Sequence, residues 1–408
     1  MNDTKLSSHT DSSTLMLFAA SAEDAGRFGE QFLRLGLDAG LARAGGIAAA
    51  ITWSSDNAPP QVLIVDIDGD PLPLQSLAEL GGLCDPACHI VVIGSKQDVD
   101  LYRTLLHSGV FDYLIKPVPL DLLAATLGRA RAGHATGHGA RSGRTIAISG
   151  ASGGCGVSTV AASLAQLLSH ERHMATAVVD FDRSNGDQNL LLGYDGEAGL
   201  AGALSSGEID SRLLQRAMGQ INERLHLLAQ TPTLRPEQNF SSEHLLHLGA
   251  NLCHMFNQVI WDLPAGRPHG SLDVLAHAQT RILLTDLTVQ DARNLHRLLR
   301  EIGDESDGQH LLLVANATRG NHNGIVERSQ FEEFVERRID LQLPYAGTTL
   351  AGSLLTGSLR LDAFPALQLA LQDLTDLATG HTPKRAKVAP DNLLTRLKRV
   401  LNRQPSAA

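Results

Sequence analysis

Three short apolar runs that end in an acid constrain this chain most: VLIVD at 62–66, AVVD at 177–180 and QVIWD at 258–262. Gln258 aside, they are apolar up to the closing acid and do not alternate, which describes strands buried on both faces. Such strands belong to parallel sheets with helices packed on each side. Over residues 14–127 the pattern predicts strands at Leu15–Ala19, Val62–Asp66, His89–Gly94 and Tyr113–Ile115. It also predicts a helix over Ala22–Leu37 with Phe28, Phe32, Leu33 and Leu35 available for burial. From Thr145 the alternation restarts, with strands expected at Thr145–Ser149, Ala177–Asp180, Leu225–Ala229, Gln258–Asp262, Ile282–Asp286, His310–Ala315 and Asp340–Leu343. Between the blocks, residues 128–144 hold five glycines, four arginines, no acid and no large apolar side chain. Such a stretch cannot bury enough surface to fold and is expected to be a flexible linker. The expected fold class is α/β, with two doubly wound parallel-sheet domains at 14–127 and 145–380 and a basic tail at 381–408.

With 408 residues the chain exceeds one ordinary core, in keeping with that division. Hydrophobic content of 43% and charged content of 19% describe a globular protein. No apolar run approaches the ~18 residues of a membrane span, and residues 1–13 lack the pattern of a signal peptide. Cys84, Cys88, Cys155 and Cys253 suit a reduced cytoplasm better than a disulfide framework. Cys84, Cys88 and His89 lie close in sequence, but no second ligand pair with zinc spacing accompanies them. The net charge of −10 conceals a tail of +6 on a body of −16. A body this acidic argues against coating duplex DNA, so no specific nucleic acid is expected.

The sequence Ser149-Gly150-Ala151-Ser152-Gly153-Gly154-Cys155-Gly156-Val157-Ser158-Thr159 follows a predicted strand and precedes a helical run. Glycines let a backbone approach an anion closely, and the free N–H groups of a helix start point at it. Ser149, Gly150, Gly154 and Gly156 resemble the loop of short-chain dehydrogenases, but none of the four tyrosines has a lysine four residues later to complete that chemistry. The loop also resembles that of the deviant P-loop group containing MinD, ParA and the Tad-pilus proteins TadZ and CpaE, through Gly153, Gly154, Gly156, Ser158 and Thr159. Three further features follow in the family's order. Asp180 and Asp182 resemble its second acidic motif, Asp262-Leu263-Pro264-Ala265-Gly266 its Walker B strand, and Asn316 its adenine contact. The resemblance implies ATP with Mg²⁺ as cofactors. Gly153, Gly154, Cys155, Gly156, Val157, Ser158, Thr159 and Asn316 would bind the nucleotide. Ser158 and Asp262 would hold the metal, Asp262 through water, and Asp182 and Asp180 would serve any hydrolysis.

Both family lysines are missing. Ser152 stands for the one that reaches across the dimer, and Val157 for the one on the β- and γ-phosphates. Phosphoryl transfer depends on neutralising developing charge, so nucleotide binding is expected to outlast efficient hydrolysis. The first block resembles a receiver: Asp66, Ser95 and Lys116-Pro117 match its acceptor, hydroxyl and lysine. The acid pair due near Ala20 and Ser21 is absent, which removes the main Mg²⁺ ligands. An atypical receiver ahead of a degenerate MinD-like domain is the arrangement of the TadZ/CpaE family. That resemblance implies a cytoplasmic homodimer at a cell pole that recruits the Tad secretion ATPase, the secretin and other pilus assembly components. The alternatives are an active ParA/MinD-type partition or positioning ATPase, and a response regulator with an unusual output domain.

In the tail, Asp391 is placed to cap a helix to about Arg403. Leu393, Leu394, Leu397, Val400 and Leu401 form one apolar stripe, and Arg396, Arg399 and Arg403 lie opposite. A helix of ~13 residues is too short to span a bilayer but suits its interface. MinD ends in a similar basic helix. The expectation is peripheral inner-membrane contact through 391–403, or docking of the same stripe on protein.

Overall fold

The computed structural model describes residues 14–131, 142–196, 199–207, 209–232, 240–305, 308–318, 324–355, 357–381 and 383. In the first domain β1 (Leu15–Ala19), β2 (Ala42–Ala44), β3 (Val62–Asp66), β4 (His89–Gly94) and β5 (Asp112–Ile115) form a parallel sheet in the order β2-β1-β3-β4-β5. This is the flavodoxin-like winding, which switches direction between β1 and β3. Every residue of β1 and β3 is buried, which is why their sequences show no polar alternation. Strand β2 was not expected: Ala-Arg-Ala at a half-exposed edge carries no β signal. The first helix runs Ala22–Arg34, short of the expected Leu37, because the chain turns at Leu35 and Gly36 (φ 74°). Phe28 and Phe32 face the sheet as expected, but Leu33 lies off that face and is 62% exposed.

The second sheet holds β6 (Arg144–Gly150), β7 (Thr176–Asp180), β8 (Gly219–Asn222), β9 (Leu225–Leu228), β10 (Gln258–Leu263), β11 (Thr280–Thr285), β12 (His310–Asn316) and β13 (Leu341–Leu343). Their order is β13-β12-β11-β6-β10-β7-β9-β8. The expected strands are all present and parallel. The addition is β8, an antiparallel edge partner of β9 whose Gly-Gln-Ile-Asn is mostly polar. Helices Ser242–Met255, Ser271–His277 and Val289–Ile302 cover one face, and Val157–Gln166 and Pro365–Ala378 the other. Trp261 on β10 packs edge-on against Phe181, with ring centroids 5.8 Å apart. Strand β6 lies between β11 and β10, neither of which is its immediate neighbour in the chain. The crevice of a doubly wound sheet opens at such a switch point, beyond the strands' carboxyl ends.

Helix Leu120–Arg131 occupies the first part of the stretch expected to be linker, with Leu123 and Leu127 buried and Arg129 paired to Asp112. Residues 132–141 and the amphipathic helix expected at 391–403 lie outside the described residues. The domains meet where Arg224, just before β9, donates to the carbonyls of Ser54 (2.7 Å), Asn57 (3.1 Å) and Leu83 (3.1 Å). Asn257 adds a bond to the Cys84 carbonyl at 2.9 Å. These acceptors lie at the C-terminal ends of helices Gly46–Asp56 and Pro73–Leu83, where carbonyls lack intrahelical partners and a cation is favoured.

Candidate functional site

The glycine loop leaves β6 at the switch point and enters helix Val157–Gln166. Gly154 and Gly156 both have φ of 84°, a left-handed conformation that only glycine adopts without strain. A Cβ on Gly153 or Gly154 would meet nothing within 4 Å, so the loop's upper surface is open. At Gly156 a Cβ would lie 2.5 Å from Asn316 Nδ2, which donates at 2.8 Å to the Cys155 carbonyl. Asn316 is thus brought to the loop from the end of β12. The loop's own side chains turn inward. The Ser152 hydroxyl bonds the buried carboxylate of Asp291, which also accepts from Asp286 N at 2.7 Å and Thr285 Oγ1 at 3.2 Å. The Cys155 thiol is buried toward the same carboxylate, and burial followed by the Asp291 charge raises its pKa. Ser152 is thereby tied to its own domain.

Below the loop stand the expected carboxylates. Asp180 and Asp262 are paired across adjacent strands β7 and β10, and both are buried. Gln188, fully buried, donates to Asp262 Oδ2 at 2.7 Å and to the Ser158 carbonyl at 3.0 Å. Asp180 accepts from the backbone of Asp182 and Gln188, both at 3.1 Å. The connecting turn wraps so closely that a Cβ on Gly186 would sit 2.5 Å from Asp180 Oδ2. Asp182, half-buried, accepts from the backbone of Ser184 and Asn185 within that turn. Burial, then the charge of Asp262, pushes the Asp180 carboxyl well above the ordinary range. Asp262 is raised by burial too, although Gln188 and Ser158 oppose it. Two acids buried at the carboxyl ends of adjacent inner strands are thus held toward their neutral forms.

The sequence matches no protein-family model and no curated protein. Among solved structures it resembles a ParA family ATPase from Chlorobium tepidum TLS, with 23% identity over 59% of this chain and 98% of that one, at a TM-score of 0.51. The second domain has the fold of ParA-type ATPases. The MinD cell division protein of Aquifex aeolicus matches with 18% identity over 59% of this chain and 98% of that one, at a TM-score of 0.47. A pilus assembly protein CpaE from Caulobacter crescentus CB15 matches with 30% identity over 28% of this chain and 90% of its own, at a TM-score of 0.25.

Within the ParA-type fold the loop, Ser158, Asp180, Asp262 and Asn316 converge on one crevice. Three contributors had not been expected. Gln188 and Asp291 are polar residues inside helices, with no signal short of the fold. Arg267 follows Pro264-Ala265-Gly266, and its Nη2 donates to the Gly150 carbonyl at 2.8 Å.

The first domain has its own switch-point cluster. Asp66 ends β3 with a fully buried side chain, accepting from Ala20 N at 2.9 Å. Lys116 Nζ lies 2.5 Å from Asp66, 3.0 Å from Asp68 and 3.3 Å from Asp24. Ser95 bonds Asp68 through its backbone N–H (2.9 Å) and its hydroxyl (2.5 Å). Ala20 and Ser21 carry no acid, as the sequence shows, but Asp24 in the first turn of Ala22–Arg34 brings a third carboxylate from a position the strand-end pattern did not flag. The lysine ammonium bridges all three acids.

Proposed function

We propose that this chain is a localisation and assembly factor of a Tad (type IVc) pilus machinery, of TadZ/CpaE type, that binds Mg-ATP and turns it over slowly or not at all. The observation that carries the reading is the pairing of two altered sites in one chain. A receiver-like domain has its carboxylates bridged by Lys116, and a ParA-type domain keeps an open glycine loop with no lysine in it. The loop fits a nucleotide: its glycines leave room for phosphates, and Ser158 with Asp262 and Asp180 beneath fits a divalent cation. Gly153–Thr159 would cradle the phosphates and Asn316 would lie toward the base. Ser158 and, through water, Asp262 would hold Mg²⁺. Asp182 and Asp180 would orient water if hydrolysis occurs. Among the described residues no group of three or more His, Cys, Asp or Glu is arranged to hold a metal ion, so a Mg²⁺ here would share its shell with phosphate oxygens.

On this reading two copies pair across their loops, bind the Tad secretion ATPase and other pilus components, and gather in the cytoplasm at a cell pole. No described helix is long and apolar enough to cross a membrane, so inner-membrane contact would run through 391–403. The second reading, an active ParA/MinD-type positioning ATPase, draws on the retention of Asp180, Asp182 and Asp262 together. A deletion strain decides between them. The assembly reading expects loss of surface pili, restored by the wild type and by Asp182→Ala alike. Normal piliation with misplaced chromosomes or plasmids would favour the positioning ATPase.

A further inference from the structure

We infer that Arg267 is the cation of this site, gripping the phosphate oxyanions of a bound nucleoside triphosphate. The inference rests on the nucleotide-binding reading above and concerns how that site holds charge. Arg267 ends the turn that follows β10. Its backbone N–H bonds the Pro264 carbonyl at 2.9 Å, and its φ of 45° is left-handed. A non-glycine residue held there is strained, and such strain persists where the surroundings impose it. The turn aims the guanidinium at the base of the glycine loop, where Nη2 donates to Gly150 at 2.8 Å and Nη1 to Ala265 at 3.1 Å. Gly150 is the last residue of β6, so the fork is anchored where the strand passes into the glycine loop.

The electrostatics are unbalanced. Among the described residues no carboxylate lies within ion-pair distance of Arg267. Burial lowers the Arg267 pKa, and the cation of Arg297 lowers it further. Nε is buried without an acceptor. A half-buried guanidinium that meets only two neutral carbonyls and another cation is incompletely compensated. Its planar donor fork matches a phosphate bidentately, as a lysine cannot. The first domain shows what this protein does with a cation that needs no ligand: Lys116 is surrounded by three carboxylates. Arg267 has none, beside a loop shaped for anions.

The alternative is a staple that merely joins the β10 turn to the loop. A staple would affect every nucleotide alike, whereas a phosphate grip acts in proportion to phosphate charge. The test is titration of the full chain with Mg-ATP, Mg-ADP and AMP, for wild type, Arg267→Gln and Arg267→Lys, with melting curves on each. Expected are a loss of about tenfold or more for Mg-ATP in Arg267→Gln, a smaller loss for Mg-ADP, the smallest for AMP, and substantial recovery in Arg267→Lys. On wild-type protein, saturating Mg-ATP should also shield Arg267 from phenylglyoxal, read by peptide mass spectrometry. Equal losses for all three nucleotides, unchanged Mg-ATP affinity in Arg267→Gln, or undiminished phenylglyoxal modification would overturn the role of Arg267 while leaving nucleotide binding intact. Wild-type protein that binds none of the three would remove the nucleotide reading and this inference with it.

Discussion

The two domains place acids at the same topological position, beyond the carboxyl ends of strands at a switch point, and then treat them oppositely. In the first domain Asp24, Asp66 and Asp68 surround Lys116, while Ala20 N donates to Asp66 and Ser95 donates to Asp68 through its backbone and its hydroxyl. That site is complete without a ligand. In the second domain Asp180 and Asp262 face each other with hydrogen bonds but no cation, beneath a loop with open space above it. A doubly wound sheet supplies the location, and the side chains decide whether it stays open to a partner.

The largest test removes the cation that closes the first site. Lys116→Met leaves buried Asp66 beside two other carboxylates, and should cost the first domain about 3–5 kcal/mol. The two tryptophans make this readable, because Trp53 reports on the first domain and Trp261 on the second. Urea unfolding followed at Trp53 emission should shift strongly. An unshifted transition would mean that Lys116 does not neutralise the cluster.

The pH dependence of the two domains should run in opposite directions. Burial pushes Asp68 up, but the Ser95 hydrogen bonds and Lys116 outweigh it and hold the carboxyl below its ordinary range. A depressed carboxyl stabilises the fold above its unfolded pKa, so the first domain should weaken as pH falls below about 4. Asp180 is raised, so the fold binds its proton more tightly than the unfolded chain does. The second domain should therefore lose stability as pH climbs from about 4 toward neutrality, by at most about 1.4 kcal/mol for each pH unit. Melting curves between pH 5 and 8 check this. A second domain equally stable across that range would contradict the unbalanced site.

A smaller effect is expected at the junction. Arg224→Ala removes bonds to the ends of two first-domain helices and should cost about 1–3 kcal/mol of coupling. The Trp53 and Trp261 transitions should then separate where they coincided. Transitions unaltered in spacing would show the domains to be independent already.

Much of this was readable from the residues. Strands such as VLIVD and QVIWD announce themselves because burial on both faces leaves no polar position, and the glycine loop because only a phosphate cradle or a tight turn calls for that spacing. Strands β2 and β8 were missed because edge strands of Ala-Arg-Ala and Gly-Gln-Ile-Asn bury little and carry no pattern. Leu33 was misplaced because an apolar residue next to a core position need not share its helix face. In the sites, Asp66, Asp180, Asp262 and Lys116 were marked by strand-end position. Asp24, Gln188, Arg267 and Asp291 act across long sequence separations, and nothing local distinguishes them from solvated polar residues.

The second site, whose glycine loop holds no lysine, is expected to take Mg-ATP and barely turn it over. Calorimetric titration and phosphate release measured on one clean preparation of the full chain test it directly. Saturable, Mg²⁺-dependent ATP binding is predicted, with turnover far below the ~1 s⁻¹ lower end of ordinary enzymes. Turnover at or above that rate, abolished by Asp182→Ala, would contradict it, as would the absence of any saturable ATP binding.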